Sequence, residues 1–539
     1  MSLPPQAPNE VPANPNIAPK RYSPFWFRAL EILPGACVWT SLLMPFILAA
    51  FLPHLVTLFV IAFDVYWLIS AYNYAFLLIV GYFRLRHNLR LDWNGQLALL
   101  HAMTDEERAA EGFIDWIDIN HAVILTTYKE SEETLETSIS SIVHAVYPRE
   151  RMILVLATEE RDDPEAQEIA KRLSERHKEH FRAILTTIHP DGIVGEVKAK
   201  GANAAWAARQ LTAYAREEGI PLDRVVVSTA DGDSRFHPKY FQCLAYHYAV
   251  LSDRTHCAFQ PISMYFNNIW ELPIFSRLMA FGSTFWLLVE STRLYRLVTF
   301  ATHAMSLETL VEIDYWCVSV VNEDSRQFFR AYFHYKGKFR SVPLYIPVYM
   351  DGVYAGKISQ SAHNLFLQQQ RWAYGVEHFP YIVLEGARSH KIPVMDRVLL
   401  IYRAFLSSYS WATSSFYTTV VGWIPIVLNN SFRNQVVAAN FSTVTRTLLS
   451  FTWVGLLLSA AISIAILPPP PKNYSKIRLV VTMTVQWIFV PVTAIFFGTI
   501  PGLISITRLM LGKYLGFRVT PKVKSDHNTH EGLKPAQSV

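Results

Sequence analysis

Two carboxylates, Asp231 and Asp233, are the first residues of this chain whose types and spacing could do chemistry. They follow the β-branched run 225–227, so we expect them to leave the end of a strand and enter a loop. Carboxylate oxygens at such a place can hold Mg²⁺ or Mn²⁺ with coordination positions left open for diphosphate oxygens. An Asp-x-Asp pair is also typical of a solvated acidic turn, so the pair alone does not decide between the two interpretations.

A second acidic motif, Asn322-Glu323-Asp324, precedes an amphipathic helical stretch at 326–335. A carboxylate near a diphosphate–metal centre can act as the general base for an attacking hydroxyl. We prefer Asp324 over Glu323 for that role. Asp324 or Asn322 could also cap the helix, and capping and catalysis can coexist.

A third motif places Gln368, Arg371 and Trp372 at i, i+3 and i+4, which puts them on one face of a helix. Arg371 could bind a phosphate through two hydrogen bonds, and the Trp372 indole could face a sugar ring or leaving group. An Arg-Trp pair beside an apolar block is also typical of an anchor at a membrane interface. The motif alone leaves both interpretations open.

Residues that could contact a nucleotide stand earlier in the chain. Glu130 could accept hydrogen bonds from a base or ribose while Tyr128 packs on the base. Lys200, at a predicted helix start before Gly201, could bind a phosphate oxygen together with backbone N–H groups. Glu130 could instead favour a helix N-terminus, and a glycine-capped turn explains Lys200-Gly201 equally well.

The segments around these motifs alternate between predicted strands and predicted helices. Short β-rich runs alternate with polar helical stretches, which predicts a mostly parallel sheet with helices on both faces in a domain at 110–355. The motifs then lie beyond the carboxyl ends of the strands, where such sheets bind ligands. The predicted strands are 122–127, 152–157, 183–188 and 224–229, and the predicted helices are 131–145, 164–178 and 199–217.

The composition indicates a membrane protein. Of the 539 residues 51% are hydrophobic and only 17% are charged, against about 25% charged in ordinary soluble domains. The net charge of +5 and the lack of basic–aromatic interleaving argue against nucleic acid as a partner. The four cysteines lie far apart and indicate a reducing compartment rather than a zinc site.

Apolar runs flank the domain on both sides. Runs 32–52 and 55–83 are each long enough to cross a bilayer, and basic residues at both ends predict a hairpin at 31–84 with its flanks in the cytoplasm. A disordered segment at 1–30 precedes the hairpin. Asp64, within the second apolar run of the hairpin, more readily pairs with a neighbouring helix than functions as an intramembrane carboxylate.

The C-terminal region is predicted to hold interfacial helices at 356–395, membrane helices at 396–512 and a basic cytoplasmic tail at 513–539. Its apolar runs are 398–428, 444–467 and 478–511. Three simple crossings would leave the basic tail outside, against the charge rule. Either the last run is broken or forms a hairpin, or part of 398–428 lies along the interface, giving five or six crossings in all.

In this order the motifs resemble the membrane-integrated members of glycosyltransferase family 2, which include cellulose, chitin and hyaluronan synthases. The resemblance covers about residues 120–380. It implies an α/β GT-A domain inserted between N- and C-terminal transmembrane helices. It also implies a UDP- or GDP-sugar donor, Mg²⁺ or Mn²⁺ at the acidic pair, and inversion at the anomeric carbon.

The resemblance also implies roles for individual residues. Asp324, with Glu323 beside it, is the catalytic base. The donor is contacted by Thr126, Tyr128, Glu130, Glu159, Lys200 and Asp231, the metal is bound by Asp233 with Asp231, and the acceptor and pyrophosphate are held by Gln368, Arg371 and Trp372.

The chain departs from the family pattern at several positions. Thr126 stands where proline is usual, Glu159 ends a strand where aspartates are usual, and Asn322 stands where threonine is usual. Residues 303–306 fall where the acceptor loop of the family lies.

Three functions remain for comparison. The first is a processive polysaccharide synthase at the cell membrane with a cytoplasmic catalytic domain. The second is a single-addition transferase acting on a lipid or lipid-linked acceptor. The third is a non-catalytic membrane scaffold that has kept the fold, which the altered nucleotide contacts suggest and the intact carboxylates oppose.

Overall fold

The computed structural model describes residues 22–451, 453–471 and 475–516. The predicted hairpin at 31–84 corresponds to two longer helices, α1 (Pro24–Phe51) and α2 (Pro53–Arg90). Residues 24–30, assigned above to the disordered segment, are therefore helical; Pro24 stands in the first helical turn, where its fixed φ is favourable. Residues 1–21 and 517–539, which hold the rest of that segment and most of the predicted basic tail, lie outside the described residues.

Within the described residues, eight strands form one sheet: β1 (Asn120–Thr126), β2 (Met152–Glu159), β3 (Ala183–His189), β4 (Val225–Asp231), β5 (Arg235–Phe236), β6 (Cys257–Met264), β7 (His303–Ser306) and β8 (Arg340–Tyr349). Their order across the sheet is β3-β2-β1-β4-β7-β6-β8-β5. All four strands predicted from the sequence are present, within a few residues of their predicted bounds.

The sheet is mixed rather than mostly parallel. Strands β1 to β4 run parallel to one another, and β8 is parallel to β6. Strand β7 is antiparallel to both β4 and β6, and β5 is antiparallel to β8. The alternation of strands and helices in the sequence predicts which segments are strands, but not the direction in which the later ones enter the sheet.

Helices cover both faces of the sheet and form two apolar cores. Val123 and Leu125 of β1 pack in the core of α5, α6 and α8, whereas Ala122 and Ile124 pack in the core of α7, α10 and α11. Both faces of this strand are buried, as expected for the parallel part of a sheet. The helices of the domain are α3 (Trp93–His101), α4 (Asp105–Glu111), α5 (Glu132–Val143), α6 (Pro164–His177), α7 (Lys200–Glu217), α8 (Tyr240–Val250), α9 (Ile274–Thr292), α10 (Leu307–Glu312), α11 (Glu323–His334), α12 (Ile358–Ala373) and α13 (Phe379–Arg388).

Among the described residues, four helices are long and apolar enough to cross a membrane. They are Pro24–Phe51, Pro53–Arg90, Val436–Ile466 and Leu479–Met510. The C-terminal helices are α14 (Val394–Thr419), α15 (Ile424–Leu428), α16 (Asn430–Arg433), α17 (Val436–Phe451), α18 (Trp453–Ile466), α19 (Lys476–Val485), α20 (Val490–Ala494) and α21 (Ile500–Met510).

Two features of the C-terminal region bear on the alternatives that the sequence left open for the number of crossings. Helix α14 covers most of the predicted run 398–428, but it carries Asp396, Arg397 and Arg403 and is not among the four candidates. The last apolar run is not a hairpin; its helix type changes to a 3₁₀ turn at Gln486–Phe489 and to a π turn at Ile495–Thr499. Proline and glycine in this run account for such irregularity, because they interrupt regular helical hydrogen bonding.

Candidate functional site

The carboxyl ends of three parallel strands meet at one edge of the sheet. Thr126, the last residue of β1, is in register with Asp231 of β4 and with Ala157 of β2. The Thr126 hydroxyl donates to the carbonyl of Ala230 at 3.1 Å, so it fastens β1 to β4. Tyr128 lies in the loop after β1 and Glu159 is the last residue of β2, so both lie at this edge.

The acidic pair forms a tight turn after β4. Asp231 N–H donates to Ser234 Oγ at 3.1 Å. Between the two aspartates stands Gly232, where a Cβ atom would lie 2.9 Å from Cγ of Glu130. Glu130 is therefore packed against the acidic turn, as a residue contacting the same ligand would have to be.

Asp233 is held deeply by a neighbouring loop and is only 3% exposed. Its Oδ2 accepts a hydrogen bond from the backbone N–H of Asp351 at 3.3 Å. Its carbonyl accepts from the side-chain amide of Asn267 at 3.0 Å, and that amide also donates to the Asp351 carboxylate at 2.9 Å. Asn267 and Asp351 thus fix the orientation of the second aspartate.

Lys200 connects the start of α7 to the acidic turn. Its Nζ lies 2.8 Å from Oδ1 of Asp231. Burial lowers the pKa of Lys200, but the charges of Asp231, Glu323 and Asp324 outweigh burial and raise it overall. The ammonium group therefore stays protonated and lies among three carboxylates.

The start of α11 packs directly against the start of α7. A Cβ atom on Gly201 would lie 2.8 Å from Cβ of Glu323 and 2.9 Å from the carbonyl oxygen of Cys317. Only glycine permits this approach, which brings the Glu323-Asp324 motif beside Lys200.

The Asp324 carboxylate is held by two backbone donors. Its Oδ1 accepts from the N–H of Ser325 at 2.7 Å, and its Oδ2 accepts from the N–H of Ala301 at 2.9 Å. Ala301 has a φ of 48°, in the left-handed region that non-glycine residues rarely occupy. Such a conformation persists only where the surrounding structure imposes it, here at the contact with Asp324.

Burial raises the pKa of both carboxyl groups in the second motif. For Glu323 the charge of Asp324 adds to the effect of burial, and Lys200 and Arg371 oppose it. For Asp324 the two backbone hydrogen bonds oppose burial, with Lys200 and Arg371. Hydrogen bonds to a carboxylate favour its ionised form, so the two backbone donors act against the effect of burial at Asp324.

Tyr265, directly after β6, lies where the motifs converge. Burial raises the pKa of its hydroxyl well above the ordinary value, and the charges of Asp231, Asp324 and Asp233 raise it further, while Arg371 lowers it. The charges of the acidic turn, of Asp324 and of Arg371 therefore act on the Tyr265 hydroxyl. Two contacts join the motifs directly: Lys200 Nζ lies 2.8 Å from Oδ1 of Asp231, and the side-chain amide of Asn322 donates to the carbonyl of Arg371 at 3.0 Å.

Aromatic side chains line one side of this centre. The Trp372 ring lies 5.6 Å from the ring of Tyr265 and 5.9 Å from that of Phe300, measured between centroids. Gln368, one turn earlier on α12, is 9% exposed. Ser505 of α21 donates to the carbonyl of Gln370 at 2.7 Å, so the last candidate membrane helix contacts the helix that carries this motif.

The predicted nucleotide contacts form a second group at the ends of β1 and β2. Glu130 accepts from the N–H of Tyr128 at 2.7 Å. Glu159, which is 5% exposed, forms an ion pair with Arg161, whose guanidinium lies 4.4 Å from the centroid of the Tyr128 ring. One face of Tyr128 is therefore covered by a cation.

Two cavities have linings that do not include Asp231, Asp233 or Asp324. A cavity of about 30 Å³ is lined by Glu159, Arg161 and neighbouring residues of the loop after β3. A larger cleft of about 410 Å³ lies between Arg84 at the end of α2, Trp93 of α3 and Tyr345 of β8.

The side chains at this site provide only part of a ligand set for a hard cation such as Mg²⁺. Within the residues that the structure describes, no three His, Cys, Asp or Glu side chains gather into a ligand set for a metal ion. Asp231 and Asp233 offer carboxylate oxygens, which Mg²⁺ prefers together with substrate phosphate oxygens. These two residues are therefore the ones that could hold a metal, with a ligand supplying the rest.

Residues 303–306, expected in a loop, form the buried central strand β7 instead. The short polar run 303–306 carries no strong strand pattern, and its place between β4 and β6 comes from long-range pairing. The residues that do reach the site are the preceding ones, because Thr299 donates to the carbonyl of Asp324 at 2.6 Å and Ala301 binds its carboxylate.

Sequence reasoning also missed the role of several other residues. Tyr265, Arg161, Asp351 and Glu377 have no motif of their own. The adjacent amides Asn267 and Asn268, which follow β6, are the signal in the sequence that could have found that loop.

No protein-family model matches the sequence, and no curated protein is detectably similar to it. Among solved structures, the mannosyltransferase PcManGT from Pyrobaculum calidifontis, in complex with GDP-Man and Mn²⁺, is 16% identical and has a TM-score of 0.38; the match covers 81% of this chain and 99% of that one. S. aureus TarS 1-349 in complex with UDP-GlcNAc is 12% identical with a TM-score of 0.36, covering 64% of this chain and 90% of that one.

A further S. aureus TarS structure is 10% identical, with a TM-score of 0.33, and the match covers 63% of this chain and 54% of that one. At this level of similarity the function has to be argued from this chain's own side chains.

Proposed function

We propose that this chain is a membrane-bound glycosyltransferase that transfers a sugar from a UDP- or GDP-sugar to a saccharide acceptor with inversion at the anomeric carbon. The observation that carries the proposal is that the close packing of Gly201 against Glu323 and the 2.8 Å ion pair of Lys200 with Asp231 bring the acidic turn and the Glu323-Asp324 motif beside one lysine. A GT-A domain between membrane helices is the fold that we infer for it. The motif order of family 2 enzymes supports the same assignment.

Asp324 is the general base in this proposal. It takes the proton of an acceptor hydroxyl while that oxygen forms a bond to the anomeric carbon. The bond from the anomeric carbon to the phosphate oxygen breaks on the opposite side, so the nucleoside diphosphate leaves and the configuration inverts. Two backbone N–H groups hold the Asp324 carboxylate in one orientation during this step.

Positive charge offsets the charge that develops on the departing diphosphate. Lys200 and Arg371 are the side chains of this chain placed to do so. Asp231 and Asp233 are the residues that would hold Mg²⁺ or Mn²⁺, which supplies further positive charge to the diphosphate when bound. Lys200 Nζ lies 2.8 Å from the Asp231 carboxylate, so the cation and the candidate metal ligand are adjacent.

The nucleotide is proposed to lie at the ends of β1 and β2. The candidate contacts of the nucleotide are Tyr128, Glu130 and Glu159. The Thr126 hydroxyl, at the same edge of the sheet, joins the end of β1 to β4. Gln368 and Trp372 are the candidate contacts of the acceptor and pyrophosphate. The aromatic group formed with Tyr265 gives the sugar an apolar surface to lie against.

The chain is proposed to be a multi-pass protein of the cell membrane with its catalytic domain in the cytoplasm. Arg84, Arg86 and Arg90 mark the end of α2 nearest the domain, which supports the cytoplasmic side by the positive-inside rule. The product is proposed to be a polysaccharide. Single addition to a lipid-linked acceptor is the second candidate, since only four helices qualify as membrane spans in the described residues.

A nucleotide-sugar screen with the full chain in nanodiscs tests this function. GDP- and UDP-sugars are supplied with Mn²⁺, and released nucleoside diphosphate and product size are measured. Turnover with at least one donor is expected, and a polymer ladder distinguishes the synthase from single addition. Absence of turnover with every donor and acceptor would leave the scaffold as the better interpretation.

A further inference from the structure

Glu377 lies in the short 3₁₀ turn Tyr374–His378, directly after the helix that carries Arg371 and Trp372. Its side chain is 6% exposed. The Oε1 atom accepts hydrogen bonds from the backbone N–H groups of Val321 at 3.0 Å and Asn322 at 3.1 Å. These two residues form the last part of the loop before Asp324.

Two more contacts tie the same elements together. The side-chain amide of Asn322 donates to the carbonyl of Arg371 at 3.0 Å. His378, next to Glu377, has its Nε2 3.0 Å from the hydroxyl of Ser325, and the N–H of Ser325 donates to the Asp324 carboxylate. The turn after α12 therefore holds the chain on both sides of Asp324.

The charge of Arg326, on α11, acts on Glu377. Burial raises the pKa of Glu377 to about 7, and the charge of Arg326 opposes that rise. The Arg326 guanidinium itself lies 4.0 Å from the centroid of the Tyr381 ring on α13. Near neutral pH both forms of Glu377 are populated, and Oε1 can accept the two backbone hydrogen bonds in either form.

We propose that Glu377 is a positioning residue that sets where the Asp324 carboxylate stands by holding Val321 and Asn322 against the turn after the Arg371 helix. The inference rests on the proposed function, in which Asp324 is the base. It connects the base to the helix that binds the diphosphate, so both are placed by one contact. Glu377 does not touch the reacting atoms.

Two substitutions separate the reach of this side chain from its charge. Glu377→Asp keeps the charge but withdraws the acceptor by one methylene, about 1.5 Å. Glu377→Gln keeps the reach and an acceptor oxygen but removes the charge. Misplacing a reacting group by about 1 Å can cost about 10²-fold in rate. We therefore expect Glu377→Asp to lower kcat about 100-fold and Glu377→Gln to keep kcat within about threefold.

The donor constants distinguish positioning from loss of binding. The KM for the donor is expected to change less than about threefold in both variants, because Lys200 and the acidic turn are untouched. Glu290→Gln is the matched control, since Glu290 on α9 is also 6% exposed but pairs with Arg293 and Arg296 of the segment that follows the helix. It is expected to keep kcat, and thermal unfolding of all variants in nanodiscs records any loss of fold.

The outcomes are distinct. A wild-type chain that is inactive with every donor overturns the proposed function and this inference with it. An active wild type overturns the inference alone if Glu377→Asp keeps kcat, if Glu377→Gln loses as much kcat as Glu377→Asp, or if donor KM rises as far as kcat falls. A selective loss of kcat in Glu377→Asp, rescued in Glu377→Gln, supports it.

Discussion

The Nζ atom of Lys200 lies 2.8 Å from Oδ1 of Asp231, joining the start of α7 to the end of β4. The lysine side chain is 14% exposed and the aspartate side chain 41% exposed, so the ion pair is partly open to a ligand. A diphosphate arriving at the acidic turn would meet both a cation and a carboxylate. This pair is therefore the place where donor binding can be tested most directly.

Replacing Lys200 with methionine is expected to raise the donor KM at least about tenfold, because a charge-assisted hydrogen bond to phosphate contributes about 1.5–3 kcal/mol. Donor KM is measured in nanodiscs at fixed acceptor. The control is Lys198→Met, since Lys198 pairs with Asp191 and is 57% exposed. Equal effects of the two substitutions would count against a phosphate role for Lys200.

Asp324→Asn is expected to lower turnover by about 10²–10⁴, the usual range for removing a general base. Donor affinity should stay within about threefold of wild type. Asp314→Asn is a suitable control because that side chain is 74% exposed and its φ of 54° suits asparagine. Unchanged turnover in Asp324→Asn would remove Asp324 from the mechanism.

The raised pKa of Asp324 predicts the direction of the pH dependence. A general base acts only when ionised, so kcat should fall as pH drops through a pKa above that of an ordinary aspartate. Lys200 lowers the pKa of Asp324, so Lys200→Met should move the acidic limb of the kcat profile to higher pH. A shift toward lower pH in that variant would contradict the assignment.

Asp233→Asn is expected to weaken activation by Mn²⁺ because an amide oxygen is a poorer ligand for a hard cation than a carboxylate. The concentration of Mn²⁺ that gives half-maximal donor turnover should rise at least about tenfold. Direct Mn²⁺ binding in the presence of donor gives a second readout. Identical Mn²⁺ curves for wild type and variant would exclude Asp233 as a ligand.

Gly201→Ala is expected to reduce the free energy of unfolding by about 1–3 kcal/mol, as for other overpacked sites. The added methyl group would lie 2.8 Å from Cβ of Glu323 and separate α7 from α11. Turnover should fall as well, because Lys200 and Asp324 move apart. Gly282→Ala on α9 is the control, since nothing lies within 4 Å of the added Cβ atom; thermal unfolding compares the two.

Much of the fold follows from the local sequence pattern. Apolar β-branched runs predicted β1 to β4, and the long apolar runs predicted the N-terminal pair of candidate membrane helices. Both signals are local, because burial on two faces or in a bilayer requires continuous apolar residues. The acidic turn after β4 was likewise placed correctly, since it directly follows such a run.

Other parts of the molecule depend on packing between distant segments. The direction of β7, the place of Ala301 beside Asp324 and the contact of Glu377 with the loop before Asp324 each join residues that no local pattern relates. Helix α14 shows the same limit, because a run that mixes apolar and charged residues does not by itself predict whether the helix crosses a bilayer.

The sequence by itself determined which residue types could do chemistry here and on which strands and helices they stand. Only the tertiary structure decided that Lys200 pairs with Asp231, that Gly201 allows Glu323 to pack beside it, and that Glu377 holds the loop before Asp324. The physical reason is that hydrophobic periodicity is a property of consecutive residues in the sequence. Convergence of charged groups instead depends on how whole elements pack, and a single missing Cβ atom or buried acceptor can decide it.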